Sequence, residues 1–411
     1  MTISEPSPGW TQPGTAEYWR MNLGLFLAGF ASFSLMYCVQ PLLVQFTQEF
    51  GIDAATSSLA LSSTTAAVAI TIVCMGIVSE RFGRRGLMAG SMCLAAVLNL
   101  LAGLAPGWHT LVVLRALEGV ALGGVPALAM TYLAEETDPK GLGFSMGLYV
   151  AGTAFGGMIG RVGMGVLTDF GSWRTAMVTI AIIDLVAALG FAALLPRSRR
   201  FVARRGWDMQ FHAKSWKAHL GNASLRRLFM LAFLFMGVFV AVYNYTGFRL
   251  SGPEFGLDQT RIGMIFLSYI LGMIASPVAG MASTRFGRAR VLKTGLTIMI
   301  LGLLLTLLHS LIAVILGIAM ITVGFFTSHS LASAWVGSLG ANRKGHAAAL
   351  YLLSYYLGSS ILGSIAGHFW QSGGWPGIAA FGGAAILIAL WIAASLPKTK
   401  SLTVTELQGA A

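Results

Sequence analysis

The chain has 411 residues, of which 56% are apolar and only 10% are charged. Soluble proteins carry about 25% charged residues, so this composition excludes an ordinary multi-domain soluble protein. The apolar residues suffice for about a dozen helices of ~20 residues, the length that crosses a bilayer. The formal net charge of +12 is therefore interpreted as a topology signal, and no nucleic-acid partner is expected.

Apolar stretches between charged residues predict six membrane-spanning helices in the first half of the chain. They follow a short N-terminal tail, residues 1–20, which lacks the cationic start of a signal peptide and is expected to stay in the cytoplasm. The six helices form a predicted bundle over residues 21–195. Their predicted ranges are 21–45, 55–79, 86–106, 109–134, 142–167 and 174–195.

A basic segment, residues 196–227, is too charged to lie in hydrocarbon and is interpreted as a cytoplasmic linker held at an anionic leaflet. A second bundle is predicted over residues 228–396, before a cytoplasmic tail at 397–411. Its first three helices are 228–250, 261–283 and 289–308. Two long uncharged stretches follow, residues 294–342 and 345–397. A turn at His309-Ser310 divides the first and a turn in QSGGWPG, residues 371–377, divides the second, which completes twelve helices.

The distribution of Lys and Arg predicts the orientation, because cations are retained on the cytoplasmic side of a membrane. With a cytoplasmic N-terminus, all but five of the 27 cations lie on that side. The five exceptions are Arg115, Arg161, Arg174, Arg249 and Arg261. We therefore predict an all-α membrane protein with twelve transmembrane helices in two six-helix pseudo-symmetric bundles, and with both termini in the cytoplasm.

The two halves of the chain contain matching segments. GIVSERFGRRGLM, starting at Gly76, matches GMASTRFGRARVL, starting at Gly280, at six of thirteen positions. A second correspondence pairs Gly156 with Gly358 and Trp173 with Trp375. Transporters that are built from two parallel repeats usually bind substrate between the halves, whose rocking alternates access.

The helix number, the central linker and the repeated loop resemble the major facilitator superfamily over essentially the whole chain. GIVSERFGRR is similar to that superfamily's G-x-x-x-D-R-x-G-R-[RK] motif, with Glu80 at the usual position of Asp. The resemblance implies a gating latch, in which Glu80 holds Arg84 or caps a neighbouring helix. The implied gating residues are Gly76, Glu80, Arg81, Gly83, Arg84 and Arg85, with Arg285 and Arg288 in the second copy.

Two further motifs resemble the drug and proton antiporter branch of the superfamily. LRALEGVALGG on helix 4 is similar to its R-x-x-x-G motif, at Arg115 and Gly119. GLYVAGTAFGGMIG on helix 5 is similar to its G-x-x-x-G-P-x-x-G-G motif, with Thr153 in place of Pro. The resemblance implies export, and the glycines predict close helix packing. The predicted packing residues are Gly147, Gly152, Gly156, Gly157 and Gly160.

Titratable residues inside predicted spans are candidates for proton coupling, because an ion in hydrocarbon is costly. Glu118 follows Arg115 by three residues, so both lie on one face of helix 4, and protonation can alternate with ion pairing. A permanent ion pair with Arg115 and a lipid-facing or interfacial location of Glu118 are the alternatives. Asp184 is a second candidate for proton coupling, and a structural hydrogen bond is the alternative explanation for its position in a span. His329 on helix 10 is a candidate for binding protons or substrate, against the alternative of a neutral core histidine.

Polar and aromatic residues recur on helices that the resemblance places around the substrate cavity. Aromatic walls suit flat lipophilic ligands and also cations, while interhelical packing is the alternative interpretation. Arg161 can bind an anion or extend toward the membrane interface. The predicted substrate-binding residues are Tyr37, Gln40, Tyr243, Asn244, Tyr245, Tyr355, Tyr356 and Arg161.

Motifs of other functional classes are missing from the sequence. It contains no G-x-x-x-x-G-K-[ST] phosphate loop and no H-E-x-x-H or C-x-x-C, so no enzyme, metal or cofactor is expected. We predict a monomeric secondary transporter of a bacterial inner membrane, whose partners are a small-molecule substrate, protons and membrane lipids. Proton-coupled export of a lipophilic or aromatic compound is favoured. Proton-coupled uptake or exchange of an organic anion, and a non-transporting sensor or scaffold, are the alternatives.

Overall fold

A computed structural model describes residues 9–200, 209–340 and 343–397, and within these ranges the side chains at positions 76, 77, 80 and 209 fall outside the described part. The described chain is almost entirely α-helical. One isolated bridge between extended residues, Thr11 and Thr137, is the β-structure found in these ranges. Nine helices of the described chain are long and apolar enough to cross a membrane.

The helices before the linker correspond to six membrane spans. The first span continues from α1 through a 3-10 turn into α2, and the fourth is divided into α6 and α7 before Pro126. The helices are α1 (Ala16–Tyr37), α2 (Leu43–Phe50), a short α3 (Ala54–Ser57), α4 (Leu59–Phe82), α5 (Arg84–Gly103), α6 (Trp108–Leu122), α7 (Val125–Glu136), α8 (Pro139–Asp169) and α9 (Trp173–Leu194).

The helices after residue 208 comprise one linker helix and six further spans. The eighth span continues from α12 through a 3-10 turn, Ile265–Ser268, into α13. The helices are α10 (Met209–Gly221) in the linker, α11 (Ala223–Ser251), α12 (Gln259–Met264), α13 (Tyr269–Phe286), α14 (Arg288–Leu305), α15 (Leu311–Leu339) and α16 (Lys344–Ala394).

The 51-residue α16 consists of two spans. Gly374 has φ 56° and ψ −143° inside it, and Pro376 follows, within the QSGGWPG segment that predicted a turn. Two other helices bring the number of spans to twelve. They are α4, which is apolar over Leu59–Met75, and α14, whose cations all lie in its first two turns. The predicted fold of twelve helices in two six-helix halves is thereby confirmed.

The chain forms two compact units. The first contains the described residues up to 200 together with residues 246–266, and the second contains residues 209–245 and 267–397. Residues 246–266 belong to the first unit because they pack against α8, where Gly165 approaches the carbonyl oxygen of Gln259. The sequence analysis placed the start of the second bundle after residue 227, whereas the compact units divide the chain at other positions. The bundle ranges 21–195 and 228–396 stay predictions.

Three glycines bring α8 against α1 in the first unit. An added Cβ at Gly152, Gly156 or Gly160 would lie within 2.8 Å of the α1 backbone, and at Gly156 it would lie 2.0 Å from the carbonyl oxygen of Phe30. Residues four positions apart share one helix face, so the three glycines form a continuous strip. The strip lets the two backbones touch, as small residues do in membrane helices.

At two of the predicted packing positions the structure differs from the expectation. Gly147 has no neighbour within 4 Å of an added Cβ. At Gly157 the nearest atom belongs to Arg161 on the same helix, so this glycine makes room for a side chain of its own helix. The periodicity of the motif explains the difference, because neither position shares the face of Gly152, Gly156 and Gly160.

The sequence repeat has matching local structure in the two units. Gly358 on α16 approaches the carbonyl oxygen of Phe233 on α11, where an added Cβ would lie at 2.1 Å, as Gly156 approaches Phe30. In the repeated loops, Gly83 and Gly287 have φ values of 77° and 84° between consecutive helices. Only glycine adopts this backbone region without strain, which explains its presence in both copies.

Candidate functional site

A buried polar cluster lies around Arg115 inside the first unit. The Arg115 side chain is fully buried on α6, and its guanidinium donates to oxygens of three other spans. The acceptors are the carbonyl oxygens of Leu35 (3.1 Å) and Met36 (2.8 Å) on α1 and Ala60 (3.1 Å) on α4, and the Oδ1 atom of Asn99 (3.2 Å) on α5. Arg115 therefore crosslinks α1, α4 and α5 to α6.

Glu118 lies one turn after Arg115 and is also fully buried. Its Oε2 atom accepts a hydrogen bond from Arg115 Nη1 at 2.6 Å. Its Oε1 atom has no hydrogen-bond partner among the described residues. A carboxylate oxygen without a donor can accept a proton, and Arg115 would keep its four bonds to the other spans.

The R-x-x-x-G pattern on α6 has a packing explanation. An added Cβ at Gly119 would lie 2.2 Å from the carbonyl oxygen of Thr64 on α4. The Thr64 hydroxyl in turn donates to the carbonyl oxygen of Arg115 at 2.9 Å. Gly119 thus lets α4 approach α6 closely enough for Arg115 to reach Ala60.

Asp184 lies on α9 in the same unit and is fully buried. Neither of its carboxyl oxygens has a hydrogen-bond partner among the described residues. The Ser34 hydroxyl on α1 faces the carboxyl without a hydrogen bond of good geometry, so the structural hydrogen bond that was one explanation for this residue stays a prediction.

Three of the predicted substrate-binding residues meet in the first unit. Arg161 donates from Nε to Gln40 Oε1 at 2.7 Å and from Nη1 to the Gly157 carbonyl at 2.6 Å. Its Cζ atom lies 4.2 Å from the ring centroid of Tyr37 and 5.1 Å from that of Phe266. Arg161 is only 2% exposed, so its side chain points into the unit and does not extend to the interface.

His329 lies in an aromatic environment in the second unit. Its Nδ1 atom is 2.9 Å from the hydroxyl of Tyr351. Its ring is nearly parallel to that of Phe325, with centroids 5.8 Å apart, and lies 4.8 Å from the ring of Tyr355. Phe325 precedes His329 by four residues on α15, and Tyr351 precedes Tyr355 by four on α16, so two helix faces supply these rings.

The aromatic environment extends to Tyr243 on α11. Phe325 stacks on Phe239 with a centroid distance of 3.9 Å, and Phe239 lies 4.8 Å from Tyr243. The Tyr243 hydroxyl hydrogen bonds with Ser268 (2.6 Å) and Thr322 (2.7 Å). We call this group the aromatic cluster: Phe239, Tyr243, Phe325, His329, Tyr351 and Tyr355.

Of the other predicted substrate-binding residues in the second unit, Tyr356 contacts the aromatic cluster and Tyr245 packs elsewhere. Tyr356 contacts Tyr355 edge to face at 5.1 Å. Tyr245 stacks with Trp370 at 6.1 Å, and its hydroxyl donates to the Gly363 carbonyl. Asn244 is 1% exposed. The three consecutive residues 243–245 thus point in different directions around α11, as helical geometry requires.

The predicted gating loop contains an ion pair that the motif did not indicate. Arg84 donates from Nε to Glu135 Oε2 at 2.7 Å and also contacts Oε1, and it donates to the Ser79 hydroxyl at 3.2 Å. Glu135 lies at the end of α7, so the ion pair joins the loop to the fourth span. The side chain of Glu80, the expected partner of Arg84, lies outside the described residues.

Of the remaining gating cations, Arg85 and Arg288 contact other helices, whereas Arg81 and Arg285 each contact the next residue. The contacts are Arg85 to the Ala192 carbonyl (2.7 Å), Arg81 to the Phe82 ring (5.5 Å), Arg288 to the Ser338 hydroxyl (2.8 Å) and Arg285 to the Phe286 ring (5.3 Å). In the described part of the chain, no group of three or more His, Cys, Asp or Glu could hold a metal ion.

Several residues of these clusters were missed at the sequence level. Phe325 and Tyr351 could have been found, because each lies four residues from a predicted aromatic or histidine position on the same helix. Asn99 and Glu135 carry no such signal. Each contacts a partner on another helix, and nothing in the local sequence reports that contact.

Comparisons with known proteins agree on one family. The family model of the Major Facilitator Superfamily matches residues 25–252 and 248–409. The chain is 41% identical to the inner membrane transport protein YnfM of Escherichia coli (strain K12), covering 96% of this chain and 94% of that protein. It is 40% identical to the uncharacterized MFS-type transporter YybF of Bacillus subtilis (strain 168), covering 94% and 95%.

Solved structures show the same fold. A point mutant of the nucleoside transporter NupG superposes with a TM-score of 0.76 at 15% identity, covering 92% of this chain and 100% of that chain. A D-xylose–proton symporter gives a TM-score of 0.71 at 18% identity, covering 94% and 98%. At these identities the likeness concerns the fold alone.

Proposed function

The chain belongs to the Major Facilitator Superfamily, and from this premise we propose that it exports a small lipophilic or aromatic compound from the cytoplasm in exchange for protons. It is a multi-pass membrane protein and a secondary transporter, and it is not an enzyme. The direction, the proton coupling and the substrate class are the proposed part, together with location in a bacterial inner membrane and a monomeric state.

The geometry of Glu118 is the observation that carries proton coupling. An acid buried in a membrane-spanning unit needs a partner or a purpose. Glu118 has a partner for one oxygen only, since Oε2 binds Arg115 while Oε1 meets no donor among the described residues. It is therefore suited to alternate between an ionised form, paired with Arg115, and a protonated form.

Proton binding at Glu118 changes the charge balance without dismantling the cluster. The guanidinium of Arg115 keeps its bonds to Leu35, Met36, Ala60 and Asn99 when the carboxylate is neutralised. Arg115 then has no counter-ion at its own helix, and charge interactions are strong where the dielectric is low. A change of this kind can shift the populations of two transport conformations, which is the requirement for coupling.

The aromatic cluster supports the proposed substrate class. Cation–π attraction is worth about 0.5–2 kcal/mol per ring, so an aromatic environment favours an aromatic or cationic substrate. His329 is partly buried among the rings of the aromatic cluster and is the group that we assign to polar contact with substrate or to a second proton. Tyr37, Gln40 and Arg161 form a polar group in the first unit that we assign to the substrate as well.

Vesicle transport measurements with Glu118→Gln test proton coupling. Wild-type protein in proteoliposomes is expected to move ethidium, an aromatic cation, against its gradient when a pH gradient is imposed. The substituted glutamine side chain keeps the shape but has no titratable group, so gradient-driven transport should be lost while exchange of ethidium across the membrane persists.

Glu49→Gln is the matched control, because Glu49 is an exposed acid that pairs with Arg174. It should transport like the wild type. Proton coupling through Glu118 is contradicted if Glu118→Gln responds to the pH gradient as the wild type does.

Uptake or exchange of an organic anion is the second candidate function. The observation in its favour is Arg161, a buried cation that donates hydrogen bonds to the neutral acceptors Gln40 and Gly157. The same vesicles separate the two functions when benzoate replaces ethidium. Transport of benzoate but not ethidium, lost in Arg161→Ala, would favour the anion carrier.

A further inference from the structure

Asp184 occupies the interior of the first unit without the contacts that an ionised acid requires. It lies in the middle of α9, which packs against α1, α5 and α8, and its side chain is fully buried. The Ser34 hydroxyl on α1 faces it, yet neither carboxyl oxygen makes a hydrogen bond of good geometry within the described residues. Burying an ionised carboxylate without donors is far more costly than burying the neutral acid.

No cation among the described residues forms an ion pair or a hydrogen bond with Asp184. Cys38 on α1, Glu118 on α6, and the cations Arg115 and Arg161 belong to the same electrostatic neighbourhood.

Neither cation of this neighbourhood donates a hydrogen bond to Asp184. Arg115 binds Glu118 and oxygens of three other spans, and Arg161 binds Gln40 and the Gly157 carbonyl. From α5, Asn99 is neutral, and Arg85 binds the carbonyl oxygen of Ala192, about two turns away along α9. Among the described residues of this neighbourhood, the remaining charge is that of Glu118, which repels a second carboxylate.

We propose that Asp184 is a second proton-binding site of this unit, which holds a proton as a neutral carboxylic acid while Glu118 is ionised against Arg115. The two carboxyls together then carry one proton and one negative charge. Two buried acids in electrostatic contact do not ionise independently, so a proton that leaves Asp184 favours proton uptake at Glu118. The presence of the proton is independent of the proposed function, whereas a role of Asp184 in transport rests on proton coupling.

Infrared spectroscopy of the purified protein tests whether the proton is present. A protonated carboxyl has a C=O stretching band, separate from that of a carboxylate, which shifts in D₂O. At neutral pH this band is expected in the wild type and in Glu118→Gln, and it should be lost in Asp184→Asn. Glu49→Gln is the control, because it removes an exposed acid that pairs with Arg174, and the band should be unchanged in this variant.

Coupling between the two acids has its own spectroscopic readout. In Glu118→Gln no negative charge opposes ionisation of Asp184, so the band should disappear at a lower pH than in the wild type. Asp184→Asn should melt at the wild-type temperature, because Asn resembles the neutral acid in shape and has no charge. This comparison also shows that loss of the band does not arise from misfolding.

Three results would overturn the proposal. They are the absence of the band from wild-type protein, its persistence in Asp184→Asn, and a melting temperature that Na⁺ raises in the wild type but not in Asp184→Asn. The last result would identify a cation site. If the band behaves as expected while pH-driven ethidium transport is unchanged in both Asp184→Asn and Glu118→Gln, the proton site stands, and proton coupling through Glu118 and Asp184 is refuted.

Discussion

Arg115 shows that one side chain can be both a candidate for chemistry and a structural crosslink. Its five donated hydrogen bonds reach α1, α4, α5 and Glu118 of its own helix. A planar guanidinium with several N–H groups can serve such a set of acceptors, whereas the point charge of a lysine cannot. The R-x-x-x-G pattern is therefore explained by packing as well as by transport.

Replacement of Arg115 should destabilise the protein more than replacement of Glu118. Arg115→Ala leaves Glu118 buried without its cation, for which a loss of about 3–5 kcal/mol is typical. Thermal unfolding in detergent, followed by tryptophan fluorescence, measures the change. Arg115→Lys should also melt well below the wild type, since it retains the charge but not the fork of donors. A wild-type melting temperature for either variant would contradict the crosslinking role.

At the scale of helices, the contact between α8 and α1 depends on the absence of side chains. Gly152, Gly156 and Gly160 bring the two backbones together, and the sequence pattern correctly indicated a glycine-rich helix. Thr153, at the position where the resembled motif has Pro, bonds to the Val150 carbonyl of its own helix. Consistent with this, α8 continues without interruption over 31 residues.

Alanine substitutions along α8 test this contact. In Gly156→Ala the new methyl group would lie 2.0 Å from the Phe30 carbonyl oxygen, so the helices must separate. A loss of about 1–3 kcal/mol is typical for overpacking, and thermal unfolding should detect it. Gly147→Ala is the matched control, because nothing lies within 4 Å of the added atom. Equal melting temperatures for the two variants would contradict the packing role of Gly156.

At the scale of the whole molecule, segments that match in sequence have the same local structure in the two units. Phe30 with Gly156 and Phe233 with Gly358 form the same kind of backbone contact, and Gly83 and Gly287 both have positive φ between consecutive helices. The division into units nevertheless does not follow the repeat throughout, since residues 246–266 pack with the first unit.

The distribution of cations predicts that both termini lie in the cytoplasm. Fusion of green fluorescent protein to the C-terminus should give fluorescent cells, because this reporter fluoresces in the cytoplasm. Alkaline phosphatase at the same position should be inactive, because it is active only on the other side of the membrane. Fusions placed in the loop after α9 should behave in the same way, and fusions after α8 should show the opposite pattern. Phosphatase activity at the C-terminus would refute the predicted orientation.

The sequence by itself determined the class of fold, the number of spans and the turn that divides the last two spans. Hydropathy, the charge distribution and turn residues such as those around Gly374 act locally, so they can be interpreted without knowledge of distant contacts. It also indicated Arg115, Glu118 and Asp184 as unusual residues, because ionisable groups in hydrocarbon are rare for energetic reasons.

Only the tertiary structure decided what surrounds these residues. Arg115 finds acceptors 80 positions away at Leu35, and Arg84 pairs with Glu135, 51 positions away. The same folding buries Asp184 without an ion pair or a hydrogen bond of good geometry among the described residues. Contacts between distant segments depend on how helices pack, and composition and periodicity contain no information on which side chains meet across that packing.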